Sequence, residues 1–346
     1  MILIKNIYYM LSYAYKALNQ DVYKSVATES FDNVADLCAA ILEKGITSQL
    51  KQGLAHDYVP CDEVLAGVRG KIEINESLKC GSLRKRQLVC TYEDFTVDIY
   101  MNQIIKATVS LLLRSDIKKI HKKNLKRLMM FFSDVSDIDV HEIKWNLRFT
   151  KGNQSYRLLM GVCYLVIKGL LQSQSDGSIK LMNFVDDQRM YHLYERFVLE
   201  YYRKEFPQIK VSSSQIPWQL DEGDSAFLPI MQSDVMLTYG DRTLIIDTKY
   251  YEQTVQQRYG GSTFISSNLY QIYTYVKNKQ ILEGDEHVVS GMLLYAQTDG
   301  VTVPPKDYSV SGNTLSVRFL DLNQDFCEIK KQLNMIVERA FDVVTP

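Results

Sequence analysis

Apolar positions recur at three- and four-residue spacing from the start of the chain. Ile4, Ile7, Tyr8, Leu11, Tyr15 and Leu18 share one face, behind Asn6 as a candidate cap. The spacing predicts an amphipathic helix within Met1 to Leu18 that packs on a core. A second helical pattern covers Phe31 to Leu54. The texture then changes. Tyr58 to Phe95 holds short alternating runs such as Lys71-Ile72-Glu73-Ile74, with glycines at 67, 70 and 81, which predicts strands, tight turns and a small barrel-like element. Helical patterns return from Val97 to Leu171, and the last of them, around Arg157 to Leu171, is apolar enough to be buried.

Gln172 to Ser178 is a polar run of small residues directly after that apolar helix, the composition of a linker. It divides the chain into residues 1–175 and 180–346, and a length of 346 residues suits two domains. Beyond it the rhythm mixes helix and strand. A tyrosine-rich helix is predicted near Gln188 to Phe206, strands near Ile230 to Tyr239, Arg242 to Tyr251 and Gly291 to Gln297, and helices near Asn268 to Lys279 and Asp325 to Phe341. The fold class is α+β: a helical N-terminal domain with a small β insertion at about 58–95, and an α/β C-terminal domain. No internal repeat or low-complexity segment interrupts it.

Composition narrows the function. Forty basic and forty-one acidic residues leave a formal charge of -1, which excludes a globally basic nucleic-acid coat but not a local basic stripe. Six cysteines contain no C-x-x-C pair and only five histidines accompany them, so neither a disulfide framework nor a structural zinc site is expected. The longest apolar stretch, Leu158 to Ile167, falls short of the roughly 18 residues of a membrane span. Lys5, Asn6 and several tyrosines interrupt any signal-peptide centre. A soluble, cytoplasmic protein is the expectation.

The candidate chemistry sits between Ile230 and Lys249. Two apolar runs flank Gly240-Asp241, a pair suited to a two-residue hairpin turn. That turn pairs Tyr239 with Arg242 and, counted back along both strands, sets Asp234 across from Asp247. Directly opposed residues have Cβ atoms about 4.5 to 5.5 Å apart, and the two-residue period adds Lys249 to the face of Asp247. Two carboxylates this close on a half-buried sheet repel unless a cation lies between them. A hard divalent cation, Mg²⁺ foremost, resolves the conflict and suits phosphoryl chemistry. An ordinary hairpin with solvated charges accounts for the same residues, and the residues alone leave both readings open.

Two helices bear on the same place. Gln271 and Tyr275 are four apart and share a helix face; the plain alternative is a polar face turned to water. Glu195, on the tyrosine-rich helix, is a third candidate metal ligand, with a surface glutamate as its alternative reading.

An acidic helix residue, an Asp, a D-x-K strand end and a Q-x-x-x-Y helix together resemble the PD-(D/E)XK nuclease superfamily over residues 188 to 297. The likeness extends further. Asn6-Ile-Tyr-Tyr-Met-Leu-Ser-Tyr-Ala14, Gly67-Val-Arg-Gly-Lys-Ile72, Ile246-Asp-Thr-Lys-Tyr-Tyr251 and Asn268-Leu-Tyr-Gln271, in this order, resemble the McrC family, the nuclease subunits of McrBC modification-dependent restriction systems. The resemblance implies a restriction-endonuclease-like C-terminal domain that cuts double-stranded methylated DNA with Mg²⁺. It also implies an McrB-type AAA+ GTPase ring as the partner that recognises methylated cytosine and on which cleavage depends. Carried over by position, Asp234 and Asp247 become metal-binding acids, Glu195 the least secure third ligand, Lys249 the catalytic lysine, and Gln271 and Tyr275 the groups that orient the phosphate or its water. A GTP site is not expected on this chain, because no G-x-x-x-x-G-K-[ST] loop is present and Gly67 to Ile72 lacks its spacing and hydroxyl.

The N-terminal domain is then expected to dock in the partner ring and stimulate its GTPase. Arg84-Lys85-Arg86 reads as a basic hairpin tip able to enter a ring channel, or equally as a solvated loop. Arg114 to Arg127 carries seven Lys/Arg and one Asp, a stripe for phosphates or an acidic surface, or simply a solvated face. Gln253 to Ser267 reads as a polar loop over the site, with Arg258 on a DNA phosphate. A free-standing repair nuclease and a non-catalytic activator of the partner GTPase are the competing classes.

Overall fold

The computed structural model describes residues 3–15, 18, 23, 26, 29–173, 187–250, 255–258, 261–297 and 304–343. The chain forms two compact units, one of Met1–Asn19 with Asn183–Pro346, the other of Gln20–Met182. The expected division at 173–180 therefore needs a correction at its start: residues 1–19 belong with the C-terminal sheet unit, not with the helical unit. Most of the predicted linker, 174–180, lies outside the described residues.

The reason is the first helix, α1 (Ile4–Ala14). Leu3, not Asn6, occupies its N-cap position. Asn6 is buried inside the helix, and its amide donates to Leu322 O at 2.9 Å and Gln324 O at 2.7 Å. Both donors of a buried amide are thus satisfied by the far end of the chain. Tyr9 stacks on Phe326 with ring centroids 4.4 Å apart, and the Tyr13 hydroxyl donates to Glu205 Oε1 at 2.7 Å. An Asn6→Ala chain is expected to lose about 2 kcal/mol of stability, because two carbonyls lose their donors; an unchanged urea midpoint would contradict this anchoring.

In the helical unit, helix α2 (Val34–Gln52) has Asn33 as its cap, which accepts a hydrogen bond from Asp36 N at 2.9 Å. Three strands follow, β1 (Asp57–Leu65), β2 (Lys71–Ile72) and β3 (Leu88–Thr96), antiparallel in the order β1-β3-β2. They make a three-stranded sheet, and among the described residues no pairing closes it into the expected barrel-like element. Gly70 enters β2 at φ +69°, and a Cβ there would meet Thr91 O at 2.4 Å, so this turn requires glycine. Between β2 and β3 run a short helix, α3 (Ile74–Lys79), and a 3₁₀ turn at Ser82–Lys85. Arg84, Lys85 and Arg86 are exposed there, but on a helical turn rather than on the predicted hairpin tip. The unit also holds α4 (Tyr100–Arg114), α5 (Lys119–Met129), which carries the basic stripe, and α6 (Tyr156–Ser173), the buried apolar one.

The sheet unit resumes with the tyrosine-rich helix α7 (Asp187–Glu205), then β4 (Lys210–Ser212), β5 (Gln215–Ile216), β6 (Met231–Gln232), β7 (Val235–Tyr239) and β8 (Arg242–Lys249). The segment read as a loop holds a two-stranded antiparallel pair, β9 (Val255–Arg258) and β10 (Gly261–Phe264). Helix α8 (Ser266–Glu283), β11 (Val288–Gln297), β12 (Lys306–Val310), β13 (Asn313–Asp321) and α9 (Phe326–Phe341) follow. Six strands form one mixed sheet in the order β12-β13-β11-β8-β7-β4, with β11 parallel to β8 and β13 and the other pairs antiparallel. Ile272, Tyr275 and Val276 of α8 pack on Met236, Ile245, Leu293 and Val317. Since side chains alternate along a strand, Asp247 and Lys249 leave β8 on the same face as Ile245, toward α8. Among the described residues, no helix is long and apolar enough to cross a membrane.

Candidate active site at the end of the central hairpin

The Gly240 turn sets the hairpin register as its dipeptide predicts. Tyr239 pairs with Arg242 and Val235 with Ile246. Asp234 lies one residue beyond the ladder, next in register to Asp247. Its carboxylate turns to Thr248, whose backbone N–H and Oγ1–H both donate to Oδ2 at 2.8 Å. A buried strand-end N–H without a ladder partner needs an acceptor, and Asp234 supplies it.

Asp247 and Lys249 are 1% and 6% exposed. Lys249 Nζ sits 2.7 Å from Asp247 Oδ2 as an ion pair, while Asp247 Oδ1 has no hydrogen-bond donor among the described residues. The ammonium also donates to Gln271 Oε1 at 3.1 Å, and Gln271 Nε2 donates to the Tyr275 hydroxyl at 3.0 Å. The four-residue spacing on α8 thus serves one connected chain, Asp247–Lys249–Gln271–Tyr275.

Charge crowding is the site's main property. Burial, then the charges of Asp247 and Glu195, push the Asp234 carboxyl up to about 7, against the pull of the Thr248 hydrogen bonds. Burial raises the Asp247 carboxyl too, with Lys249 opposing and Glu195 adding to the shift. Glu195 therefore lies close enough to act on both aspartates. It also faces His192 Nδ1 at 3.6 Å. Among the described residues, no three His, Cys, Asp or Glu side chains are set as a metal-binding group. The fit to a divalent cation rests instead on Asp247 Oδ1, buried without a donor among those residues, and on the repulsion between two acids that a cation would relieve.

The crowding makes stability depend on pH. A carboxyl near 3.8 in the unfolded chain and about 7 in the fold stabilises the protein at low pH and loses that contribution as pH rises toward 7. In a metal chelator the melting temperature is therefore expected to fall between about pH 4 and about pH 7, and Asp234→Asn should flatten the fall. Parallel profiles for the two proteins would contradict the assignment.

Two residues at the site escape the sequence patterns. Thr248 is the middle residue of the D-x-K, and Tyr191 stands one helical turn before Glu195 on α7. The Tyr191 hydroxyl donates toward Asp234, 3.3 Å from each oxygen. Its phenol is pushed upward by burial, then by Asp234, Glu195 and Asp247. Tyr191 is four residues before Glu195 and so shares its helix face, but that spacing alone does not single it out. The side chain of Arg258 lies outside the described ones; its backbone ends β9 and pairs with Gly261. Arg84, Lys85 and Arg86 belong to the helical unit. That unit also holds a cavity of about 520 Å³, lined by Asp57, Tyr100, Lys144 and Arg148 among others and containing none of the site residues.

The type IV methyl-directed restriction enzyme EcoKMcrBC of Escherichia coli (strain K12) is 25% identical to this chain over 336 residues, 95% of either sequence. A half-complex of Thermococcus gammatolerans McrB AAA+ hexamers with bound McrC is similar at a TM-score of 0.46 and 16% identity, covering 96% of this chain and 76% of that one. The McrBC complex of the same organism is similar at 0.40 and 18%, covering 58% of each. Residues 4–296 match the family described as McrBC 5-methylcytosine restriction system component, and the chain belongs to that family.

Proposed function

We propose that this chain is the DNA-cleaving subunit of an McrBC-type restriction complex, a Mg²⁺-dependent endonuclease of the PD-(D/E)XK type. The observation that carries the reading is the buried convergence of Asp234 and Asp247 with Lys249, which Gln271 and Tyr275 hold from a second element. The order of the elements supports it: acidic helix α7, the hairpin β7–β8 ending in Asp247-Thr248-Lys249, then α8 with Gln271 and Tyr275.

Asp234 and Asp247, with Glu195 beside them, would hold Mg²⁺, which when bound neutralises charge on a phosphoryl oxygen and acidifies a water. Lys249 would hold the attacking water against the scissile phosphate. Gln271 fixes the direction of the Lys249 ammonium, and Tyr275 fixes Gln271. Burial of these groups strengthens each interaction relative to water. The orienting hydrogen bonds are already formed, so little reorganisation accompanies the reaction.

Family membership and the partners named for the relatives support an McrB-type AAA+ GTPase ring as this chain's partner. The helical unit docks on it, and methylated-cytosine recognition lies in the partner. The test is reconstitution with that partner, GTP, Mg²⁺ and methylated DNA. Cleavage that needs all four and disappears in Asp247→Ala, with GTPase stimulation retained, agrees with the reading. Cutting by the chain alone would indicate a free-standing nuclease, and stimulation without cutting a non-catalytic activator.

A further inference from the structure

Asp234 is anchored mainly through one of its two oxygens. Its Oδ2 accepts two hydrogen bonds at 2.8 Å, from the N–H and the hydroxyl of Thr248. Oδ2 is thereby committed, and Oδ1 is the oxygen left for another partner. The Tyr191 hydroxyl stands 3.3 Å from both oxygens, too far from either for a short charge-assisted bond. A phenol carries one proton to donate and is neutral at ordinary pH, so Tyr191 steadies the carboxylate without adding charge and without closing Oδ1 off. Tyr191 shares a helix face with Glu195, and Thr248 lies between Asp247 and Lys249, so each comes from an element that also carries one of the site's acids.

We propose that Thr248 and Tyr191 are positioning residues for Asp234, turning it into a one-oxygen ligand that offers Oδ1 to a divalent cation. The inference rests on the metal-nuclease reading above. It explains the middle position of Asp247-Thr248-Lys249, where a hydroxyl orients the acid on the neighbouring strand. Partners one shell out from metal ligands typically change affinity by about 10- to 100-fold when removed. The effect here should be of that size.

The proposal is tested by calorimetric titration of the purified full-length chain with Mn²⁺, together with its melting temperature in chelator. Thr248→Val is expected to weaken Mn²⁺ binding by about 10- to 100-fold and Thr248→Ser to restore it, since serine keeps the hydroxyl; Tyr191→Phe should weaken binding about tenfold. Tyr191→Phe keeps the ring, so it remains informative if Thr248→Val fails to fold. Equal Mn²⁺ affinity in the parent, Tyr191→Phe and Thr248→Val, with binding lost in Asp234→Ala, would overturn the positioning roles while leaving the metal site standing. No Mn²⁺ binding by the parent would overturn the metal reading and this inference with it.

Discussion

Asp234→Asn is expected to abolish cleavage by the reconstituted complex and to make the metal-free chain more stable. Asparagine keeps an oxygen for the two Thr248 donors, so the clamp at 2.8 Å survives while one of the crowded charges disappears. A metal-binding acid contributes through several kcal/mol of charge stabilisation in the transition state, so its loss should slow cleavage by roughly a thousandfold or more. Stability moves the opposite way. Burial and the charges of Asp247 and Glu195 already disfavour the ionised Asp234, and removing that charge near pH 8 should raise the melting temperature in chelator. A structural aspartate would lose stability and spare the rate. Single-turnover cleavage and thermal unfolding of the same variant separate the two cases.

Lys249→Met should lose both activity and stability. Asp247 is 1% exposed and Lys249 is its ion-pair partner at 2.7 Å. Removing one member of a buried pair strands the other's charge, at a cost of about 3 kcal/mol. Asp247 can escape by taking up a proton, so the destabilisation should grow as pH rises and shrink in acid. Lys249→Arg is not a rescue, because a planar fork does not replace a compact ammonium between Asp247 and Gln271. Urea unfolding at two pH values checks the stability claim; an equal midpoint for parent and Lys249→Met at pH 8 would contradict it.

The parts of the site legible in the sequence are those fixed by short-range geometry. Gly240-Asp241 permits one tight turn, and the turn sets the register that brings Asp234 to the level of Asp247. Gln271 and Tyr275 share a face because a helix repeats every 3.6 residues. Tertiary choices were not legible. The apolar stripe of α1 announces that a face is buried but not on what, and it is Asn6, Tyr9 and Tyr13 that tie α1 to the sheet unit. Asn6 resembles a cap because asparagine favours caps; only its two carbonyl partners, more than three hundred residues away in sequence, show otherwise. Alternation between 58 and 95 predicts strands but carries no information about closure, and among the described residues no pairing closes the sheet of order β1-β3-β2. Thr248 and Tyr191 matter through their distance to Asp234, which no spacing rule contains.

The most direct test of the central claim is crystallographic location of Mn²⁺, by its anomalous scattering, in crystals of the chain grown with excess Mn²⁺. The expected result is a peak within about 2.2 Å of Asp247 Oδ1 and Asp234 Oδ1, which vanishes in Asp234→Ala. A well-ordered hairpin with no peak between these two aspartates, or a peak that ignores them, would contradict the assignment of this site as a metal-dependent nuclease centre.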